Sequence, residues 1–223
     1  SLSGVTDSAA AGTAIACGVK TKNGMVGVTP DGKAVESLAA DAKKKGMRVA
    51  IMTDVPVNHA TPAAFYAHCG SRGGYSDITG FLPGSEFDIF VGDKFLLSKG
   101  GAAPDGLLSG AGYKILNDIA EFASLEKGAS KVVFLMTIPY AIQEPPGKRR
   151  ATLAQVLEKT ISLLESKEGF LIALEGGRID WACHNNDIAT AVMETLAFDD
   201  AVRIARDFQM KNQSDTLIVV TTD

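Results

Sequence analysis

Several short stretches of this chain place reactive side chains at spacings that chemistry can use. Asp7-Ser8 heads the small, apolar run Ala9 to Ala16, followed by Gly18. Thr6 and Asp7 are helix-capping residue types and glycine is a common stop, so Ser8 falls in the first turn of a short helix. Backbone N–H groups left unpaired at such a start converge with the positive end of the peptide dipoles and attract anions. A hydroxyl held there is a candidate nucleophile for a phosphorylated or sulfated substrate. Asp180 and His184 stand four apart, which puts them on one face of a helix, and carboxylate plus imidazole is a ligand mix that suits zinc. Glu175 ends an apolar run and precedes Gly176-Gly177, glycines that let the backbone pass close to a cofactor. Each feature also has an ordinary reading: a cap, an exposed hydrogen-bonded pair, a strand end.

Positioning these side chains is the task of the surrounding elements. Short apolar runs bounded by turn residues read as buried strands at Arg48 to Thr53, Phe87 to Gly92, Lys131 to Met136, Phe170 to Glu175 and Thr216 to Thr222. Helical patterns occupy Ala34 to Lys45, Ala63 to Cys69 with Pro62 in its first turn, Asn117 to Glu126, Ala151 to Ser166 and Asp187 to Lys211. Asn23-Gly24 and Pro30-Asp31-Gly32 read as turns, and Phe95 to Tyr113 and Pro145 to Arg150 as surface loops, with Arg149 and Arg150 solvated. Continuous apolar strands alternating with amphipathic helices imply an α/β fold, a largely parallel β-sheet sandwiched between helices. Ligands gather at the carboxyl ends of such strands. Asp54, Glu175 and Asp223 all sit there.

Composition narrows the function classes. The 223 residues are 46% hydrophobic and 22% charged, the balance of a globular domain with a sizeable core. A net charge of −4 offers no basic face to nucleic acid, and no apolar run reaches the length of a membrane span. An anionic substrate would therefore be held by a local site. Cys17, Cys69 and Cys183 form no CxxC pair; one bridge plus a free thiol, or three thiols, both fit. No export leader is visible at Ser1.

Three motifs in order resemble those of alkaline phosphatases. D-S-A-A with the following G-V-K-T-x-N-G resembles the nucleophile segment, over about twenty positions from Val5 to Gly24. H-A-T-P-A-A-F-Y-A-H-C-G-S-R, His59 to Arg72, is similar to a second, and E-G-G-R-I-D-W-A-C-H from Glu175 to a third. The resemblance implies Ser8 as the residue phosphorylated in turnover, Arg72 as the clamp on substrate phosphate, and Asp7 as its partner. It implies Asp180 and His184 at a first zinc, Asp223 at a second, and Glu175 with His59 and Thr61 around a magnesium-type third site. Trp181 falls where family members differ and would shape the pocket. His68, in apolar company, is expected to pack against a helix. The implied activity is phosphomonoester hydrolysis through a phosphoserine, with two zinc ions and one magnesium in the complete enzyme, inorganic phosphate as product, a homodimer, and a periplasmic or extracellular setting.

The sequence also departs from the family. Members carry an earlier strand ending in a metal-binding Asp, a His directly after the position of Asp223, and a further His downstream, whereas this chain contains only His59, His68 and His184. Residues 1–223 are therefore expected to be an incomplete catalytic domain, an internal fragment with an exposed sheet edge, weak zinc binding and little or no turnover. A sulfatase or phosphodiesterase on the same scaffold, and a non-catalytic phosphate- or metal-binding domain, are the competing readings. D-S-A-A lacks the formylglycine motif of sulfatases, nucleotide phosphodiesterases usually use Thr, and neither GxSxG nor GxGxxG is present.

Overall fold

The computed structural model describes residues 4–136, 140–143 and 151–223; the Pro145 to Arg150 stretch expected to be a surface loop lies outside them. At its centre are β1 (Arg48–Thr53), β2 (Ile89–Gly92), β3 (Lys114–Leu116), β4 (Val132–Leu135) and β5 (Phe170–Glu175). They pair in the order β3-β4-β2-β1-β5, every pair parallel. Side chains alternate across the sheet as the strand period requires. Val49, Ile51, Phe90 and Val133 join one core cluster, while Ala50, Met52, Ile89, Val91, Val132 and Phe134 join the other.

Helices cover both faces. On the first lie α1 (Ser8–Cys17), α2 (Leu38–Lys44), α3 (Ala60–Ala63), α4 (Tyr75–Ser85) and α5 (Asp105–Gly110); on the second lie α6 (Ile119–Ala123), α7 (Leu153–Leu164) and α9 (Ile188–Lys211). The remaining helix, α8 (Gly177–His184), follows the carboxyl end of β5. The packed face of α1 is made of Ala9, Gly12, Thr13 and Ala16. A Cβ on Gly12 would come within 3.3 Å of both Ala64 Cβ and Thr61 Cα, so α1 and α3 meet almost backbone to backbone. The buried Thr13 hydroxyl donates to Ala9 O at 2.7 Å and accepts from Gly27 N–H at 2.9 Å, fastening the helix to the turn segment after it.

At the amino ends of the strands, buried Asp88 accepts from Lys43 Nζ, Arg48 Nε, Ser130 Oγ and Val49 N–H. Burial opposes its ionisation, but these partners, Lys43 foremost, hold the carboxyl below its ordinary range.

The α/β expectation stands, though not through the expected set of strands. The apolar run Thr216 to Thr222 joins no ladder, and Leu217 and Val219 are 87% and 73% exposed. The run meets no strand backbone among the described residues, and a strand needs a backbone partner as well as apolar side chains. The fifth strand is instead β3, between regions read as a loop and a helix. The helix expected from Ala34 starts at the Ser37 cap, because Ala34 is bridged to Val28. The one expected over Ala63 to Cys69 is α3, ending at Ala63, because Cys69 exchanges backbone hydrogen bonds with Val26. The loop expected at 95–113 contains α5, and α4 escaped notice because Gly80, Pro83 and Gly84 interrupt its helical pattern.

Because α1 rests on α3 with no room for a larger side chain, Gly12→Val is expected to cost about 1–3 kcal/mol. A lowered denaturant midpoint with unchanged slope is the measurement that checks it.

Candidate active site

Ser8 opens α1, as its sequence setting predicts. Asp7 is the N-cap, and its Oδ1 accepts from Ala10 N–H at 3.0 Å. Its Oδ2 accepts from Gly24 N–H at 2.9 Å and from Arg72 Nη1 at 3.1 Å, so one carboxylate fixes the helix start, the Asn23-Gly24 turn and the guanidinium. Burial works against ionisation here, but the Ala10 N–H, Arg72 and the Gly24 N–H outweigh it and hold Asp7 below the usual carboxylate range. Ser8 is half-buried beside this anchor, and among the described residues its hydroxyl makes no hydrogen bond.

Arg72 Nη2 lies 3.3 Å from His59 Nε2, leaving an N–H on each terminal nitrogen for oxygens of an anion. The half-buried His59 ring stands edge-on to Trp181, centroids 6.0 Å apart, and its buried Nδ1 has no partner among the described residues. Burial and then the Arg72 charge push its pKa down, opposed by Asp180 and Asp223, so the ring is held neutral, the form that binds metals. His68 is spent elsewhere: its Nδ1 lies 2.8 Å from Gly27 O and its ring packs edge-on against Phe81 of α4.

A second group gathers where β1 and β5 end. The ladder pairs Thr53 with Glu175, and Thr53 Oγ1 donates to Glu175 Oε2 at 2.6 Å. Burial pushes Glu175 up to about 7; the Thr53 and Thr61 hydroxyls pull the other way, and the charges of Asp54 and Asp223 add to the rise. Thr61 Oγ1 also donates to Asp223 Oδ2, at 3.4 Å. Asp54 is pushed up to about 6 by burial despite Arg178, whose main-chain N–H donates to its Oδ1.

Asp180 and His184 share the exposed face of α8, as their spacing predicts, with Oδ1 and Nε2 3.3 Å apart. Thus Ser8, Asp7, Arg72 and His59 form one linked set, Glu175, Thr61 and Asp223 a second, and Asp180 with His184 a third. Trp181 against His59, and the influence of Asp180 and Asp223 on His59, join the three. Among the described residues no group of three or more His, Cys, Asp or Glu side chains could hold a metal ion. The donor chemistry suits zinc and magnesium, but it comes in pairs. The Gly176-Gly177 turn, read as room for a cofactor, is occupied by protein. A Cβ on Gly176 would sit 2.7 Å from Phe198, and one on Gly177 would sit 2.8 Å from Val55. All three cysteines are free thiols, with Cys17 pushed up to about 11 by burial.

Sequence reasoning missed Thr53, Arg178 and Glu194, and left Asp54 without a role. The register of two parallel strands could have exposed Thr53, since it falls level with Glu175. Nothing in the sequence distinguishes Arg178 or Glu194 from surface charges.

The sequence profile of the family described as alkaline phosphatase matches residues 2–89 and 109–223. The chain belongs to the alkaline phosphatase family. It is 32% identical to alkaline phosphatase 4 of Bacillus subtilis over 98% of this chain and 49% of that protein, and 33% identical to alkaline phosphatase 3 of the same organism over the same shares. Among solved structures, the cold-active alkaline phosphatase of a psychrophilic Shewanella superposes with a TM-score of 0.83 at 33% identity, covering 93% of this chain and 52% of that one. The alkaline phosphatase of the Antarctic bacterium TAB5 superposes with a TM-score of 0.82 at 30% identity, covering 93% and 62%. The chain spans about half the length of the curated relatives it matches.

Glu175 yields a pH prediction. Folded, it ionises near 7 rather than at its ordinary 4.5, so the fold binds the extra proton between those values and loses stability as pH rises through them. In chelator, Glu175→Gln is expected to stabilise the protein by about 3 kcal/mol at pH 8 and to change little at pH 4, as read from thermal melts at the two pH values.

Proposed function

We propose that this chain carries the nucleophile and the phosphate-gripping residues of a phosphomonoester hydrolase that works through a phosphoserine on Ser8. The observation that supports this most directly is the double use of Asp7. The same carboxylate caps the helix bearing Ser8 and holds Arg72, so hydroxyl and guanidinium are set relative to one another by a single residue.

In this reading Arg72 and the free N–H groups at the start of α1 bind the equatorial oxygens of the substrate phosphate, where charge spreads in the transition state. Ser8 Oγ attacks phosphorus in line, its proton passes to solvent, and the bond to the ester oxygen breaks. The alcohol leaves with a proton from water. A second water then attacks the phosphoserine, and Ser8 is released with inorganic phosphate. His59 supports the Arg72 fork from the side away from Asp7. Little of this touches the alcohol, so broad specificity follows.

Metal dependence is part of the proposal. Asp180 with His184, Asp223, and Glu175 with Thr61 and His59 would hold the ions, with further donors completing each set. Bound zinc or magnesium supplies Lewis-acid stabilisation of the attacking and departing oxygens. A His-to-Glu variant of the TAB5 enzyme was solved with magnesium bound in its M3 site. We further infer that residues 1–223 form one incomplete catalytic domain, which acts within a longer, dimeric protein outside the cytoplasm. Among the described residues no helix is long and apolar enough to cross a membrane.

The test is acid-quench trapping. With p-nitrophenyl phosphate, zinc and magnesium, the native protein is expected to carry phosphate on the Ser8 peptide by mass spectrometry. Ser8→Ala is expected to lose the label and at least about 10³-fold in turnover. Arg72→Lys should retain the label but raise KM about tenfold, because an ammonium cannot reproduce the forked grip. An unlabelled Ser8 during turnover, or faster hydrolysis of the sulfate or a diester, would overturn the proposal.

A further inference from the structure

The turn that launches α8 cannot cap its own helix. Gly176 is the N-cap and offers no side chain, and neither glycine can be exchanged for a capping residue, since Phe198 and Val55 stand where the Cβ atoms would go. The N–H groups of the first turn need acceptors from elsewhere.

Asp54 supplies them. It directly follows β1 and is 8% exposed; its Oδ1 accepts from Arg178 N–H at 3.2 Å, and the neighbouring Gly177 N–H also favours its charged form. The Arg178 side chain returns the contact, with Nε donating to Asp54 O at 3.0 Å. Arg178 is 5% exposed and its guanidinium lies over the Tyr140 ring at 4.9 Å. Glu194 of α9, 6% exposed, takes the Ala141 N–H next to that ring, so Tyr140 and Ala141 are held over the Arg178 side chain.

Thr53 and Asp54 thus act as neighbours in a shared job. Thr53 holds the Glu175 carboxylate and Asp54 holds the first turn of the helix carrying Asp180 and His184. From this geometry we propose that Asp54, locked by Arg178, is a positioning residue that caps α8 from the end of β1 and thereby sets where Asp180 and His184 stand relative to Glu175. The proposal rests on the phosphatase reading only for the chemistry those groups perform; the capping itself does not depend on it.

The experiment compares Asp54→Ala, Asp54→Asn and Phe122→Ala in the native protein, the last being a destabilising change between α6 and β4, remote from α8. Hydrogen exchange of the Gly177 and Arg178 amides reports the cap, and retention of bound zinc and magnesium against a chelator reports ligand placement. Asp54→Ala is expected to lose the amide protection and to weaken metal retention by about tenfold or more. Asp54→Asn, which keeps an acceptor oxygen, should stay within about threefold of the parent in both readouts, and Phe122→Ala should lower the melting temperature without selectively affecting either. Unchanged protection in Asp54→Ala, or equal metal loss in Phe122→Ala, would overturn the proposal. If the parent protein retains no metal and turns over no phosphomonoester, the functional reading fails, while the exchange data still decide the capping.

Discussion

The ladder between β1 and β5 is the constraint on which the site depends. Its register runs from Arg48 opposite Phe170 to Thr53 opposite Glu175, and a slip of one residue would turn every side chain on β5 to the other face. Val49 and Ile51 pack into one core and Ala50 and Met52 into the other, so a slipped pairing would have to repack both. Burial of hydrocarbon thus decides which hydroxyl meets which carboxylate. The chain then leaves both strands at the same level, and everything that follows them, α3 with His59 and Thr61 at its head and α8 with Asp180 and His184, is brought to one rim.

The two ends of the sheet treat charge differently. At the amino ends, Asp88 is met by two cations, Lys43 and Arg48. At the carboxyl ends, Asp54, met by the buried Arg178, feels the charge of Glu194, and Glu175 feels those of Asp54 and Asp223. An excess of carboxylate in a partly desolvated place is unfavourable unless protons or cations relieve it, and both Asp54 and Glu175 respond by holding protons well above their ordinary range. The first arrangement serves the fold. The second is costly to the fold.

Much of this was legible in the sequence because it depends on local signals. The cap at Asp7, the stop at Gly18, the i,i+4 pair on α8 and four of the strands follow from spacing and residue type. What was not legible depends on partners distant in the chain. The run from Thr216 to Thr222 has the composition of a buried strand, yet a ladder is a relation between two segments and composition describes only one. The truncated helices at Ala34 and Cys69 show the same thing, since each yields to a single antiparallel bridge formed across the fold. Arg178 was overlooked because a buried guanidinium and a solvated one have the same letter; only the carboxylates around it tell them apart.

The lining of α1 has a mechanical consequence. Alanine and glycine have no rotamers to exchange and threonine is held at both of its hydrogen bonds, so the surface between α1 and α3 has almost no internal slack. A thermal displacement that would elsewhere be absorbed by a swinging leucine is here transmitted from one backbone to the other. Ser8 and the His59-Thr61 segment should therefore fluctuate together, keeping their mutual spacing while the rim as a whole breathes.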